Sequence, residues 1–319
     1  MAAGRPADRR VGSVGASRYG DGTVTARRLA SILALALLVA ACADDSGEPT
    51  STTGPGATTV TTGATTTTGS STTRPAAGVP ATLVTVFDGD TLLVSIEGSE
   101  EEIRLLGVNT PESDECFARQ ARGATTAMLE GTPLTVETVG ERDQFGRLLG
   151  YAYVGGILVN RELLDGGYAL ALDTDHPRRV EFLDAETAAF AAGLGLWALD
   201  ACGAPEPNPP LLIEIEPDPP GPDEDDLNGE WVLLSGNGVS VLDLTGWVLR
   251  DESSQNRYRF PDGFLLRPGE GVAVFTGCGP DAPEVLHWCA DGPVWNNGGD
   301  AALLLDPAGN VAGRLRYPG

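Results

Sequence analysis

Lysine is missing from the 319-residue chain. All 21 basic residues are arginine, set against 45 Asp and Glu, for a net charge of -24. That balance excludes a compact basic nucleic-acid binder as a description of the whole chain. Histidine is almost as scarce: His176 and His287 leave no room for a His-rich metal cluster. Five cysteines are too few for a disulfide-dense miniprotein. Aromatics make up only 6%, yet the 41% hydrophobic content can supply cores, which excludes a fully disordered chain. The apolar run Leu29–Ala41 is 13 residues long, too short to span a bilayer.

That run follows Arg27-Arg28 and has the length of a signal-peptide core, so residues 1–41 read as a targeting segment. It ends in Val39-Ala40-Ala41-Cys42, which resembles a bacterial lipobox. The expectation is a chain lipidated at Cys42 and held on the outer face of the bacterial cell membrane. Residues 42–79 are rich in Thr, Ser, Gly and Pro and nearly free of apolar side chains, so they cannot form a core. They read as a disordered stalk, about 35 Å between ends as a coil. Without residues 1–41, 15 Arg face 43 acids, a surface suited to solubility outside the cell.

The first folded region is expected over 80–202. Ala81–Phe87 alternates β-branched and apolar residues and reads as a strand, and Asp88-Gly89-Asp90 interrupts it with a turn. Strands are expected at 91–96, 102–108, 133–138 and 148–153. Helices are expected at 114–129, 158–164 and 179–194. Ala118, Ala121, Thr125 and Leu129 share one face of the first helix. Ala185, Ala188, Ala189 and Ala192 share one face of the last. Five short strands among helices fit a small closed barrel of the OB type.

Three segments carry the functional groups: Asp88-Gly89-Asp90-Thr91, Arg104-Leu-Leu-Gly-Val-Asn109-Thr110-Pro111-Glu112, and Asp143-Gln-Phe-Gly-Arg147. Alternation along a strand puts Arg104 and Val108 on one side, and Pro111 ends the strand before Glu112. Oxygen donors without His or Cys suggest Ca²⁺ rather than Zn²⁺. Two arginines beside a metal and a carboxylate base suit phosphodiester hydrolysis.

These segments, in order and spacing, resemble the staphylococcal nuclease (thermonuclease) family over residues 80–200. The resemblance implies an OB barrel with three helices. It also implies Ca²⁺ held by Asp90, Asn109 and the Thr110 carbonyl, and Glu112 as the general base. Arg104 and Arg147 would clamp the phosphate of a DNA or RNA substrate. Asn109 stands where many members have Asp, and Gln144-Phe145 where the best-known member has Lys-Tyr. Residues 80–202 carry eight Arg against many more acids, a balance that weakens binding of a polyanion.

Residues 203–210 are Pro-rich and read as a linker. Strands are expected beyond it at 211–215, 230–235, 242–250, 257–260, 271–275 and 301–305, with frequent turn signals, which suggests an all-β sandwich. The runs Leu244-Thr-Gly-Trp-Val-Leu-Arg-Asp251, Tyr258-Arg-Phe-Pro261 and Val294-Trp-Asn-Asn-Gly-Gly-Asp300 resemble the lamin tail domain. That resemblance covers 211–319 and implies an immunoglobulin-like fold serving as a binding or anchoring module of unidentified ligand. Four cysteines beyond Cys42 allow three pairings. A choice by domain joins Cys116 to Cys202 and Cys278 to Cys289. The expected whole is a monomeric, membrane-tethered, calcium-dependent nuclease, mainly β with α. The alternative is a binding or adhesion lipoprotein whose barrel has lost useful activity.

Overall fold

The computed structural model describes residues 78–207 and 211–319. The signal segment, Cys42, the stalk up to residue 77 and residues 208–210 lie outside the described residues.

The first region is built on five strands: β1 (Val79–Val86), β2 (Thr91–Ile96), β3 (Ser99–Leu105), β5 (Leu134–Arg142) and β6 (Leu148–Val154). A short β4 (Val108–Asn109) falls between β3 and β5. Antiparallel pairing runs β3-β2-β1-β5-β6, and a parallel pairing of β3 with β6 closes the barrel. The closed barrel leaves only short edges, as an OB fold does. Leu92, Val94, Ile103, Leu105, Val136 and Ala152 point inward and are fully buried. β7 (Ile157–Leu158), β8 (Leu170–Ala171) and three helices complete the region: α1 (Ala118–Leu129), α2 (Val159–Asp165) and α3 (Arg179–Ala192).

Three local expectations differ from the structure. The strand expected at 102–108 stops at Leu105, because Gly107 takes a left-handed turn (φ 75°). A Cβ there would meet the His176 ring at 2.4 Å. Helix α1 begins at Ala118 rather than near Asp114. Phe117 is left-handed (φ 70°), which no α-helix continues through, and Cys116 is tied by a disulfide to Cys202. The face Ala118, Ala121, Thr125 and Leu129 is buried. On α3 the buried face is Phe182, Ala185, Glu186 and Ala189, and Ala188 and Ala192 are exposed.

The second region is a sandwich. Its ten strands are β9 (Leu211–Glu216), β10 (Trp231–Gly236), β11 (Leu242–Asp243), β12 (Val248–Arg250), β13 (Arg257–Arg259), β14 (Leu265–Leu266), β15 (Gly271–Phe275), β16 (Val285–His287), β17 (Gly299–Leu305) and β18 (Val311–Pro318). One sheet has the order β16-β15-β10-β9 and the other β13-β12-β17-β18. Trp247, Phe260 and Trp295 fill the space between them, each at most 2% exposed. The strand expected over 242–250 is two strands, broken by a turn at Gly246 (φ 76°). A second disulfide joins Cys278 to Cys289.

Both regions belong to one compact unit. Leu170, Ala189, Leu196 and Trp197 of the barrel region pack against Ala301 and Leu303 of β17. Beside this apolar seam, Glu186 of α3 is fully buried and takes ion pairs from both Arg314 and Arg316 of β18. Arg316 also reaches Glu252 at 2.8 Å and Asp173 at 3.6 Å. Asn310 accepts from the Cys202 amide at 2.8 Å. The sandwich is therefore docked on the barrel, not hung from a free linker.

Candidate active site

The turn after β1 is shaped by its own acid: the Asp88 carboxylate accepts from the Asp90 amide at 3.0 Å. Gly89 is needed between them, because a Cβ there would meet the Thr110 side chain at 2.6 Å. Thr125 of α1 donates to the Gly89 carbonyl at 2.6 Å, which ties the turn to the helix.

Asp90 is delivered inward, 4% exposed. Its Oδ2 accepts from the Thr110 amide (2.7 Å) and hydroxyl (3.0 Å), and its Oδ1 from the Thr91 hydroxyl (3.2 Å). Arg104 Nε lies 3.2 Å from Oδ1. Burial pushes the Asp90 carboxyl up to about 6; Arg104 opposes the rise and Asp88 adds to it. The rest of the Arg104 guanidinium is held by the chain around the Leu106–Gly107 turn. Nη1 donates to the Leu105 (2.7 Å) and Val108 (2.6 Å) carbonyls, and Nη2 to Asn109 Oδ1 (3.2 Å).

Arg147 is set by Asp143. The Asp143 carboxylate takes the Phe145 amide, the Arg147 amide and Arg147 Nε, the last at 2.7 Å. Burial pushes that carboxyl up, but the Arg147 and Phe145 hydrogen bonds outweigh it and hold it below the usual range. Arg147 Nη1 donates to Thr91 Oγ1 at 3.2 Å, its guanidinium lies 5.3 Å from the exposed Phe145 ring, and Nη2 has no partner among the described residues. The Glu112 amide donates to Glu115 at 2.8 Å, and the Glu112 carboxylate has no hydrogen-bond partner among the described residues.

Asp88, Asp90, Arg104, Asn109, Glu112, Phe145 and Arg147 line one cleft of about 450 Å³. Thr110 sits just behind it, bonded to Asp90. Every residue singled out in the sequence for catalysis or metal binding is thus placed at one end of the barrel. The sequence reading missed the far wall. Ser253, Ser254 and Gln255 of the β12–β13 loop complete the cleft, and the Asn109 amide donates to the Glu252 carbonyl at 2.9 Å. Arg250 and Arg257, at the two ends of that loop, pair with Glu115. No local signal separates this loop from any other hairpin of the sandwich.

The oxygen-only donor set suits a hard cation. Two of the four partners of the Asp90 carboxylate are hydroxyls, which can rotate away without moving the backbone. An acid pushed up chiefly by burial is also stabilised as its anion when a cation arrives. The residues present therefore fit Ca²⁺, although no group of three His, Cys, Asp or Glu side chains is clustered among the described residues.

A five-stranded OB-like barrel with arginines, acids and a Glu free of side-chain hydrogen bonds among the described residues at one end, joined to a β-sandwich, defines a two-domain protein of the nuclease-barrel class. Residues 102–199 match the family described as staphylococcal nuclease homologue, and residues 204–319 match the lamin tail domain. The two family matches follow one another along the chain in that order. It is 34% identical over 96 residues to the probable staphylococcal-like nuclease CAN3 of Oryza sativa subsp. japonica, covering 30% of this chain and 25% of the rice protein. It is 30% identical over 96 residues to the thermonuclease of Staphylococcus hyicus, covering 28% of this chain and 57% of that protein. An uncharacterised protein of Methanocaldococcus jannaschii is 30% identical over 148 residues, with 36% of this chain and 70% of that protein covered.

Proposed function

We propose that the chain is a calcium-dependent nuclease that hydrolyses phosphodiester bonds of DNA or RNA, tethered outside the cell through Cys42 and its stalk. One observation carries the reading: Asp90, Arg104, Asn109, Glu112 and Arg147, drawn from separate segments, line a single cleft in which the Glu112 carboxylate makes no hydrogen bond among the described residues. Asp90, Asn109 and the Thr110 carbonyl would hold Ca²⁺, which when bound supplies positive charge to the phosphate. The Glu112 carboxylate takes the proton of the attacking water. Its freedom from internal hydrogen bonds keeps its lone pairs available. Arg147 turns its unpartnered Nη2 to the phosphoryl oxygens, while Asp143 fixes the Nε side of the guanidinium. Arg104, locked by three oxygens of its own loop and by Asp90, is a pre-aimed positive charge that needs no reorganisation as charge builds on the phosphate.

The test is turnover of a DNA or RNA oligonucleotide by the purified chain, with Ca²⁺ and with chelator. Glu112→Gln should lower kcat by about two orders of magnitude or more, as loss of a general base commonly does. Near-parent turnover in that variant, or equal turnover in chelator, would sink the assignment.

A further inference from the structure

We infer that the β12–β13 loop of the lamin tail domain binds the nucleic-acid strand, with Ser254 and Gln255 as substrate-contacting residues. The inference rests on the nuclease reading above and adds a subsite that the barrel does not contain.

The loop is a fixed wall. Asp251, 2% exposed, accepts from the Ser253 amide and hydroxyl (2.9 and 2.8 Å to Oδ1) and from Asn256 Nδ2 (2.7 Å). The buried Arg250 donates to the Asp251 and Ser253 carbonyls. The barrel grips the loop from the other side, through Asn109 to the Glu252 carbonyl and through the Asp173 amide to the Glu252 carboxylate. Against this pinned frame, two side chains are left over. Neither the Ser254 hydroxyl nor the Gln255 carboxamide has a hydrogen-bond partner among the described residues, and both line the same cleft as Arg147 and Glu112.

The barrel also leaves them a task. Its acids outnumber its arginines, and Arg104 is almost wholly engaged with its own chain. A strand in the cleft therefore meets few free donors from the barrel side. A hydroxyl and a carboxamide offer neutral donors and acceptors to phosphate, sugar and base edges, which positions a strand without adding charge.

The experiment uses the full chain and two substrates: a fluorescein-labelled single-stranded oligonucleotide and bis(p-nitrophenyl) phosphate, which carries the diester without sugars, bases or neighbouring phosphates. Anisotropy in chelator gives Kd for the oligonucleotide, and turnover in Ca²⁺ gives KM and kcat for both. The Ser254→Ala/Gln255→Ala double variant, altered only at side chains without internal partners, should raise Kd and KM for the oligonucleotide roughly tenfold, as expected for two lost neutral hydrogen bonds. Its KM for the small diester should rise far less than its KM for the oligonucleotide. Gln255→Glu should weaken oligonucleotide binding at low salt more than at high salt, by placing a carboxylate against phosphate. Parent-like Kd and KM in both variants would overturn the loop's role. A parent chain that hydrolyses neither substrate would overturn the nuclease reading instead, and the anisotropy would still decide the loop.

Discussion

Asn109→Asp puts the coupling between the two domains and the proposed metal site under one measurement. Asn109 is 4% exposed; its Oδ1 faces Arg104 Nη2 at 3.2 Å and its Nδ2 donates to the Glu252 carbonyl at 2.9 Å. The aspartate keeps the first contact and strengthens it with charge. It destroys the second: an acceptor oxygen then faces an acceptor oxygen in a buried place, which costs about 1–3 kcal/mol. The new carboxylate also stands beside Asp90, an acid already raised to about 6 by burial. The calcium-free variant should therefore melt roughly 2–12 °C below the parent, at about 2–4 °C per kcal/mol for a folded body of this size. Added Ca²⁺ should reverse part of that loss, because a second carboxylate raises calcium affinity. The variant should gain more Tm than the parent in 10 mM Ca²⁺, and its activation midpoint should fall. Differential scanning calorimetry with and without Ca²⁺ reads both effects. An unchanged Tm in the calcium-free variant would refute the contact with Glu252 as a source of stability. An equal Ca²⁺ response in the two proteins would refute position 109 as a ligand.

Three other outcomes are expected. Glu186→Gln leaves Arg314 and Arg316 facing one another without their shared buried carboxylate, and breaking a buried pair in this way costs about 3–5 kcal/mol in urea unfolding; a loss below about 1 kcal/mol would show that the network does not hold the domains together. Stability should fall as pH rises from about 4.5 to about 8. Burial, with Asp300 adding and Arg316 opposing, raises the Glu252 carboxyl to about 8, and burial raises Asp300 to about 7. An acid raised on folding binds its proton more tightly when folded, so its contribution is complete below the unfolded value and is lost as pH passes the folded one. Glu252→Gln should flatten that slope, and a Tm–pH profile with the parent's slope would contradict the assignment. Cys42→Ala should release the protein into the medium or leave it unprocessed, and mass analysis finding an unmodified N-terminus elsewhere in the native protein would exclude the lipid anchor.

Most of the proposed catalytic corner was legible in the linear sequence because its turns are local. The Asp88–Asp90 turn and the Arg104 and Arg147 side chains are each held by bonds within about five residues, whereas the Asp90 carboxylate is met by Thr110 and Arg104 from farther along the chain. The barrel strands were legible for the same reason, since alternating burial along β1 and β3 directly records which side faces the core. Helix α1 was misjudged at its start because the cause, the Cys116–Cys202 bond beside a left-handed Phe117, lies 86 residues away along the chain. β18 was not read as a strand at all. Its Arg314 and Arg316 look like solvent-facing charge, and only α3, about 130 residues earlier, supplies the Glu186 that buries them. The same holds for the β12–β13 loop: its place over the cleft depends on Asn109 meeting Glu252 across 143 residues. Sequence by itself determined the two domain types and which charged segments stand at the end of the barrel, since turn hydrogen bonding and side-chain alternation record much of both. Tertiary structure alone decided that the lamin tail domain walls the nuclease cleft, because that wall is held by buried charge pairs and carbonyl contacts between distant residues, which leave no periodicity or motif in either partner.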